Sequence, residues 1–146
     1  MVVMKLADLP NWVRQQQKVA DAVVSRSTSK LLASVEVVPG IARGGARVVG
    51  TIPRDLGTLA ASLQSTLTGS TSITSPGQGG WVMVAGAMKA GDVARFAWGG
   101  PAAPYARAVH DGAKGVPGTF WIDSMVNRFP GAVAEAVAEA KAEIMG

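Results

Sequence analysis

The chain has 146 residues, a formal net charge of +4, no cysteine and a single histidine, His110. The lack of thiols excludes disulfides, thiolate metal sites and thiol nucleophiles, and one histidine excludes a multi-histidine zinc or iron centre within one chain. Hydrophobic residues make up 48% and charged residues only 16%, against about 25% charged in an ordinary chain; this excludes a disordered tail and points to one domain with its own core.

The charge is uneven. Residues 1–54 carry eight Lys/Arg against three Asp/Glu, whereas residues 119–146 carry two against four. A basic front and an acidic tail suit polyanion contact or head-to-tail pairing of subunits; scattered solvated charge is the plainer reading, because the basic residues form no dense run. No stretch nears the ~20 apolar residues of a membrane span, and the start lacks a signal-peptide pattern. A soluble protein made in the cytoplasm is the expectation.

Along the chain, Trp12, Val13, Val19, Val23, Val24, Leu31, Leu32 and Val35 recur at three- and four-residue intervals, which predicts a helix over about 9–35. Asp8 is placed to cap this helix, and Pro39-Gly40 terminates the element. Such a helix is about 40 Å long, so part of it should pack on something beyond a small core. A sheet region is expected over about 46–98. Within it Ala46–Ile52 reads as a strand, Pro53–Gly57 as a turn, and Thr58–Leu63 as either a short helix or an extended segment. Ser70–Thr74 reads as strand, Ser75–Gly80 as loop, and Trp81–Gly86 with Val93–Trp98 as an antiparallel pair. A short helix over about 104–110 and a Gly/Pro loop to Gly118 come next. A C-terminal helix over about 119–145 should be capped by Thr119 and broken or kinked at Pro130-Gly131. Glu135, Glu139 and Glu143 line one side of it at four-residue spacing, either as a wet face or as a face docked on a basic neighbour. The fold class expected is α+β: a small antiparallel sheet of about four strands flanked by a long N-terminal and a C-terminal helix.

Leu56–Met88 contains no ionisable residue. Interface cores are depleted in charge and exposed strands normally carry some. The stretch therefore suggests strand edges covered by other copies of the chain; a solvated Ser/Thr/Gly loop is the alternative.

Chemical motifs are sparse. No Gly-x-x-x-x-Gly-Lys-Ser/Thr phosphate loop is present, and Gly77-Gln78-Gly79-Gly80 precedes an expected strand, unlike a dinucleotide fingerprint. A serine nucleophile would have only His110 as base, and Asp111, its helical neighbour, is not expected to orient it. Asp92, Asp111 and Asp123 have no spacing that fixes a carboxylate pair. No catalytic residue, cofactor or metal ligand is assigned. Arg14, Lys18, Arg26 and Lys30 could give a partly basic helix face which, with Arg43 and Arg47, would face DNA phosphates or a neighbouring subunit. No zinc-finger or aromatic RNA-binding signature accompanies them.

Three segments in order carry a resemblance. Ile52-Pro53-Arg54-Asp55-Leu56-Gly57-Thr58-Leu59-Ala60-Ala61-Ser62-Leu63 resembles the Pro-x-Asp-Thr-Gly-x-Leu-x-x-Ser-Ile element of tailed-bacteriophage neck and tail-completion (head–tail joining) proteins. Pro104–Gly112 resembles their Tyr-Ala-x-x-Val-Glu-x-Gly element, and Gly118-Thr119-Phe120-Trp121 with the Ala/Glu-rich helix resembles their closing element. Leu56 stands where Thr is usual and His110 where an acidic residue is. The resemblance implies that Pro53, Asp55, Gly57, Leu59, Tyr105, His110, Gly112, Phe120 and Trp121 form the fold and assembly motif. It further implies a structural virion protein forming a ring, a hexamer, at the neck or head-proximal tail end. Its partners would be head-closure or connector proteins on one side and tail tube protein on the other, with genomic DNA passing through unread and no membrane involved. A small DNA-binding module that does not read sequence is the alternative from a different class.

Overall fold

A computed structural model describes residues 5–35, 50, 52, 57–101 and 103–146. The expected strand over 46–52 is outside them except for Gly50 and Ile52, and so are Arg43, Arg47, Pro53 and Asp55.

A 3-10 turn, Leu6–Asp8, leads into α1, Leu9–Val35, with the bounds that the apolar spacing predicts. α2, Gly57–Ala61, comes next, so the ambiguous segment after the turn is helical. Three strands form one antiparallel sheet in the order β2-β1-β3, with β1 spanning Gln64–Thr68, β2 Ile73–Pro76 and β3 Val93–Ala97. Ser65 lies opposite Ser75 and Phe96, and Leu67 opposite Ile73 and Ala94. α3, Gly80–Ala87, lies between β2 and β3 in the chain. α4, Ala106–Asp111, is followed by a two-residue ladder of β4, Gly112–Ala113, with β5, Val116–Pro117. α5, Trp121–Ile144, closes the chain. The architecture is α+β, with three sheet strands and a minor ladder in place of four. Among the described residues, no helix is long and apolar enough to cross a membrane.

Five expectations are corrected. The strand expected over Ser70–Thr74 lies at Ile73–Pro76, leaving Ser70–Ser72 in the connection after β1. Trp81–Gly86 is helix, not the strand partner of β3. A run of six apolar residues fits either state, and here Trp81, Val84 and Ala85 are buried while Val82 and Met83 are exposed, which is helical spacing. β1 takes the place beside β3 instead, and its sequence, Gln-Ser-Thr-Leu-Thr, has only one apolar side chain to announce a strand. The short loop expected over 75–80 is correspondingly trimmed by β2 and α3. Thr119 does not cap α5: the cap position falls on Phe120, which is left-handed at φ 49° and gives no side-chain acceptor. Thr119 and Phe120 donate their backbone N–H groups to the carbonyls of Val109 and His110, at 3.1 and 3.0 Å, so the chain must turn sharply before the helix begins. Nor does Pro130 end α5. It forgoes one backbone bond, but packing along α1 carries the helix past it.

α1 and α5 lie antiparallel. Arg128 reaches the Ser34 carbonyl near one end of the pair, and Gln16 reaches the Met145 sulfur near the other. The core comes in two adjoining parts. One gathers Val35, Ile52, Leu59, Ala60, Ala103, Val109 and Trp121; the other gathers Leu32, Leu63, Trp81 and Ala85. Trp98 and Met125 pack on both.

Candidate assembly surface

Of the motif residues, Leu59, Tyr105 and Trp121 meet at the first core cluster, whereas Phe120 is 40% exposed outside it. Leu59 is fully buried, Trp121 is 2% exposed, and Tyr105 packs on the cluster from its edge. Trp98 meets Trp121 edge-to-face, ring centres 6.0 Å apart, a geometry that places a positive ring edge on a negative face. Gly112 ends α4 at φ 89°, where a side chain would strain the backbone. Gly118 lies so close to the His110–Gly112 backbone that a Cβ would collide with main-chain atoms. Gly57 is the first residue of α2 rather than the last of a turn. Leu59 and Trp121 thus belong to the core, and Gly112 and Gly118 shape the turn after α4.

His110 is placed otherwise than its spacing suggests. Its Nδ1 is 2.6 Å from Asp111 Oδ1, although the two are sequence neighbours. The helix stops at Asp111, so the rule that adjacent helical side chains diverge does not hold there. His110 Nε2 lies 3.3 Å from the Ile122 backbone N–H and accepts it in the tautomer that carries the ring proton on Nδ1. The ring lies edge-on to Phe120 and Trp121, centres 5.5 and 4.8 Å apart. The bond from His110, and secondarily one from Arg107, holds the Asp111 carboxyl below its ordinary range. Both imidazole nitrogens are engaged in holding structure. Among the described residues, no three His, Asp or Glu side chains converge as metal ligands.

The basic face divides. Arg26 pairs with Glu143 and, at 3.8 Å, with Glu139; Lys30 pairs with Glu139 at 2.9 Å and Glu135 at 3.3 Å. The acidic stripe of α5 therefore docks on a basic neighbour within its own chain. These bonds hold Lys30 and Arg26 above their ordinary ranges and Glu139 below its own. Among the described residues, Arg14 reaches only Asn11, within α1, and Lys18 lies on the same exposed part of the helix.

Among the described residues, apolar surface is left exposed in several places, two of them along α1. A groove of about 400 Å³ runs between α1, β3 and α5, lined by Leu31, Leu32, Met88, Phe96, Met125 and Phe129 among others. On its wall Val126 is 66% and Phe129 54% exposed. A second hollow, against Phe96, Trp98, His110 and Ile122, continues past Phe96. At the other end, α1 extends beyond the C-terminus of α5, and Leu9, Trp12 and Val13 are exposed there at i, i+3, i+4 spacing. The helix tip and the groove, which Thr28 also lines, are about 23 Å apart along α1, counting from Val13 to Thr28 at 1.5 Å per residue. One molecule cannot cover its groove with its own helix tip.

The uncharged stretch is explained in part by burial within the chain. Leu59, Leu63, Ser65, Leu67, Trp81 and Val84 are all interior. Among the described residues, β2 and β3 each keep one edge unpaired. Sequence reasoning missed Val126 and Phe129, because their helical spacing reads as core; only the line of the α1 contact leaves them outside. No protein-family model matches this chain, and no curated protein or solved structure matches it.

Proposed function

We propose that the protein is a ring-forming structural subunit of a tailed-bacteriophage virion, at the neck or the head-proximal end of the tail. In this reading it joins tail to capsid, meeting connector proteins on one side and tail tube protein on the other, and leaves a channel for DNA. The resemblance of the Ile52–Leu63, Pro104–Gly112 and Gly118–Trp121 segments suggests it. The observation that carries it is the separation of the helix tip, Leu9, Trp12 and Val13, from the groove beside Val126 and Phe129. Two different apolar surfaces on one chain favour a head-to-tail contact, and head-to-tail contacts close into rings when the rotation permits. Free edges on β2 and β3 add further surface for neighbouring copies. The reading as a DNA-binding module draws less support, since Arg26 and Lys30 are already paired with glutamates.

Sedimentation velocity of the 14.9 kDa chain, alone and with tail tube protein, tests the proposal. A closed oligomer is expected. The double variant Val126→Asp, Phe129→Asp should return it to a monomer while its helical circular dichroism is kept. A wild-type chain that stays monomeric under both conditions would overturn the reading, and steeply salt-dependent duplex binding by that monomer would favour the alternative.

A further inference from the structure

The first turn of a helix has four backbone N–H groups without intrahelical partners. In most helices a cap side chain takes one of them, usually that of the second or third residue. α5 starts at Trp121, its cap residue Phe120 offers no side-chain acceptor, and the buried Thr119 hydroxyl has no partner among the described residues. The missing acceptor comes from outside the helix: His110 Nε2, on the last turn of α4, takes the N–H of Ile122, the second residue of α5.

Imidazole is an acceptor only when neutral. Adding a proton turns Nε2 into a donor facing another donor. It also puts positive charge at a helix N-terminus, where the macrodipole is unfavourable to cations. The ring itself has little freedom to leave. It is 14% exposed, held at Nδ1 by Asp111 and wedged against Phe120 and Trp121. Among the described residues, the ionisable groups around it are Asp111, Arg107 bonded to that carboxylate at 3.3 Å, and Asp123, next to Ile122 in the first turn of α5. Asp111 stays an acceptor for Nδ1–H in both states, so protonation acts on the Nε2 side alone.

We propose that His110 is a proton-operated cap for α5: neutral, it holds the Ile122 amide and seats the first turn of the helix; protonated, it releases that turn. The moving part is the start of α5, which carries Trp121 into the core and Ile122 into the hollow that adjoins the apolar groove. Acidification would thus loosen one edge of the exposed apolar surface without unfolding the α1–α5 pair. The inference depends on the local geometry of α4 and α5 and is independent of the assembly reading.

His110 is the only histidine, so its ring-proton resonance gives its titration without assignment ambiguity. In the full-length protein labelled with nitrogen-15, the Ile122 amide resonance should move with the same midpoint as the ring proton. Its protection from hydrogen exchange, corrected for the intrinsic pH dependence of exchange, should fall about fivefold, the factor matching the ~1 kcal/mol of a lost cap. In His110→Gln, whose amide oxygen can accept but not titrate, the Ile122 profile should be flat. In Asp111→Asn the ring and amide midpoints should shift together. An Ile122 amide that ignores the ring titration in the wild type would overturn the proposal, as would two midpoints that separate in Asp111→Asn. The wild-type comparison decides even if His110→Gln fails to fold.

Discussion

Thr119 is the residue at which local chemistry and packing conflict most. It is fully buried, its backbone N–H is bonded to Val109, and its hydroxyl has no partner among the described residues. A buried hydroxyl without a hydrogen bond costs about 1–3 kcal/mol of desolvation. Thr119→Val keeps the branched shape and removes the polar atom, so it should raise stability by about 1 kcal/mol, read as a higher urea midpoint at unchanged slope. An unchanged or lower midpoint would mean that the hydroxyl has a partner. Asp92 is the opposite case. Its carboxylate accepts the Ser70 N–H, the Ser70 hydroxyl and the Lys89 N–H at 2.7–2.8 Å, which pulls it below its ordinary range and ties the β1–β2 turn to the start of β3.

Between elements, the α1–α5 pair combines two kinds of contact. Apolar side chains supply the area, and Arg26 and Lys30 against Glu135, Glu139 and Glu143 supply the register. These ion pairs are solvent-accessible, so their worth is small and screened by salt. Their response to acid and to base has opposite origins. Glu139 is depressed, so its contribution is present above the ordinary carboxylate range and is lost as pH falls through its folded value. Lys30 is raised, so its contribution is present below the ordinary lysine range and is lost as pH rises through its folded value. Between those limits, Glu139→Gln should lower the melting temperature by a few degrees at low ionic strength. The difference from wild type should shrink at high salt and vanish in acid. A difference that ignores both salt and pH would assign Glu139 a packing role instead.

At the scale of the molecule, the helix tip and the groove are two exposed apolar places that one copy cannot bring together. If the helix tip enters a neighbour's groove, Trp12→Ser and Phe129→Asp remove two sides of a single contact. Each alone should weaken association by about tenfold or more, and the pair should do little more damage than the worse of the two, because contacting sites are non-additive. Independent, additive losses in sedimentation would mean that the tip and the groove meet different partners. The edges of β2 and β3 are a separate surface, and these variants leave them untouched.

The amino-acid sequence by itself determined what repeats along one element. The spacing of Trp12 through Val35 predicts α1, the Gly112–Gly118 glycines mark the end of α4, and β-branched content finds β2 only in part, since the strand expected over Ser70–Thr74 lies at Ile73–Pro76. It also set the missing chemistry, since cysteine and histidine counts need no fold. Pairing belonged to the tertiary structure. Trp81–Gly86 carries the same apolar run whether strand or helix, and only the placement of β1 beside β3 left it to become α3. Arg26 and Lys30 look like a free basic face until α5 lies antiparallel with its glutamates in step. His110 and Asp111 look like diverging neighbours until the helix ends between them and Gly112. In each case the deciding energy comes from groups distant in sequence, which local periodicity does not contain.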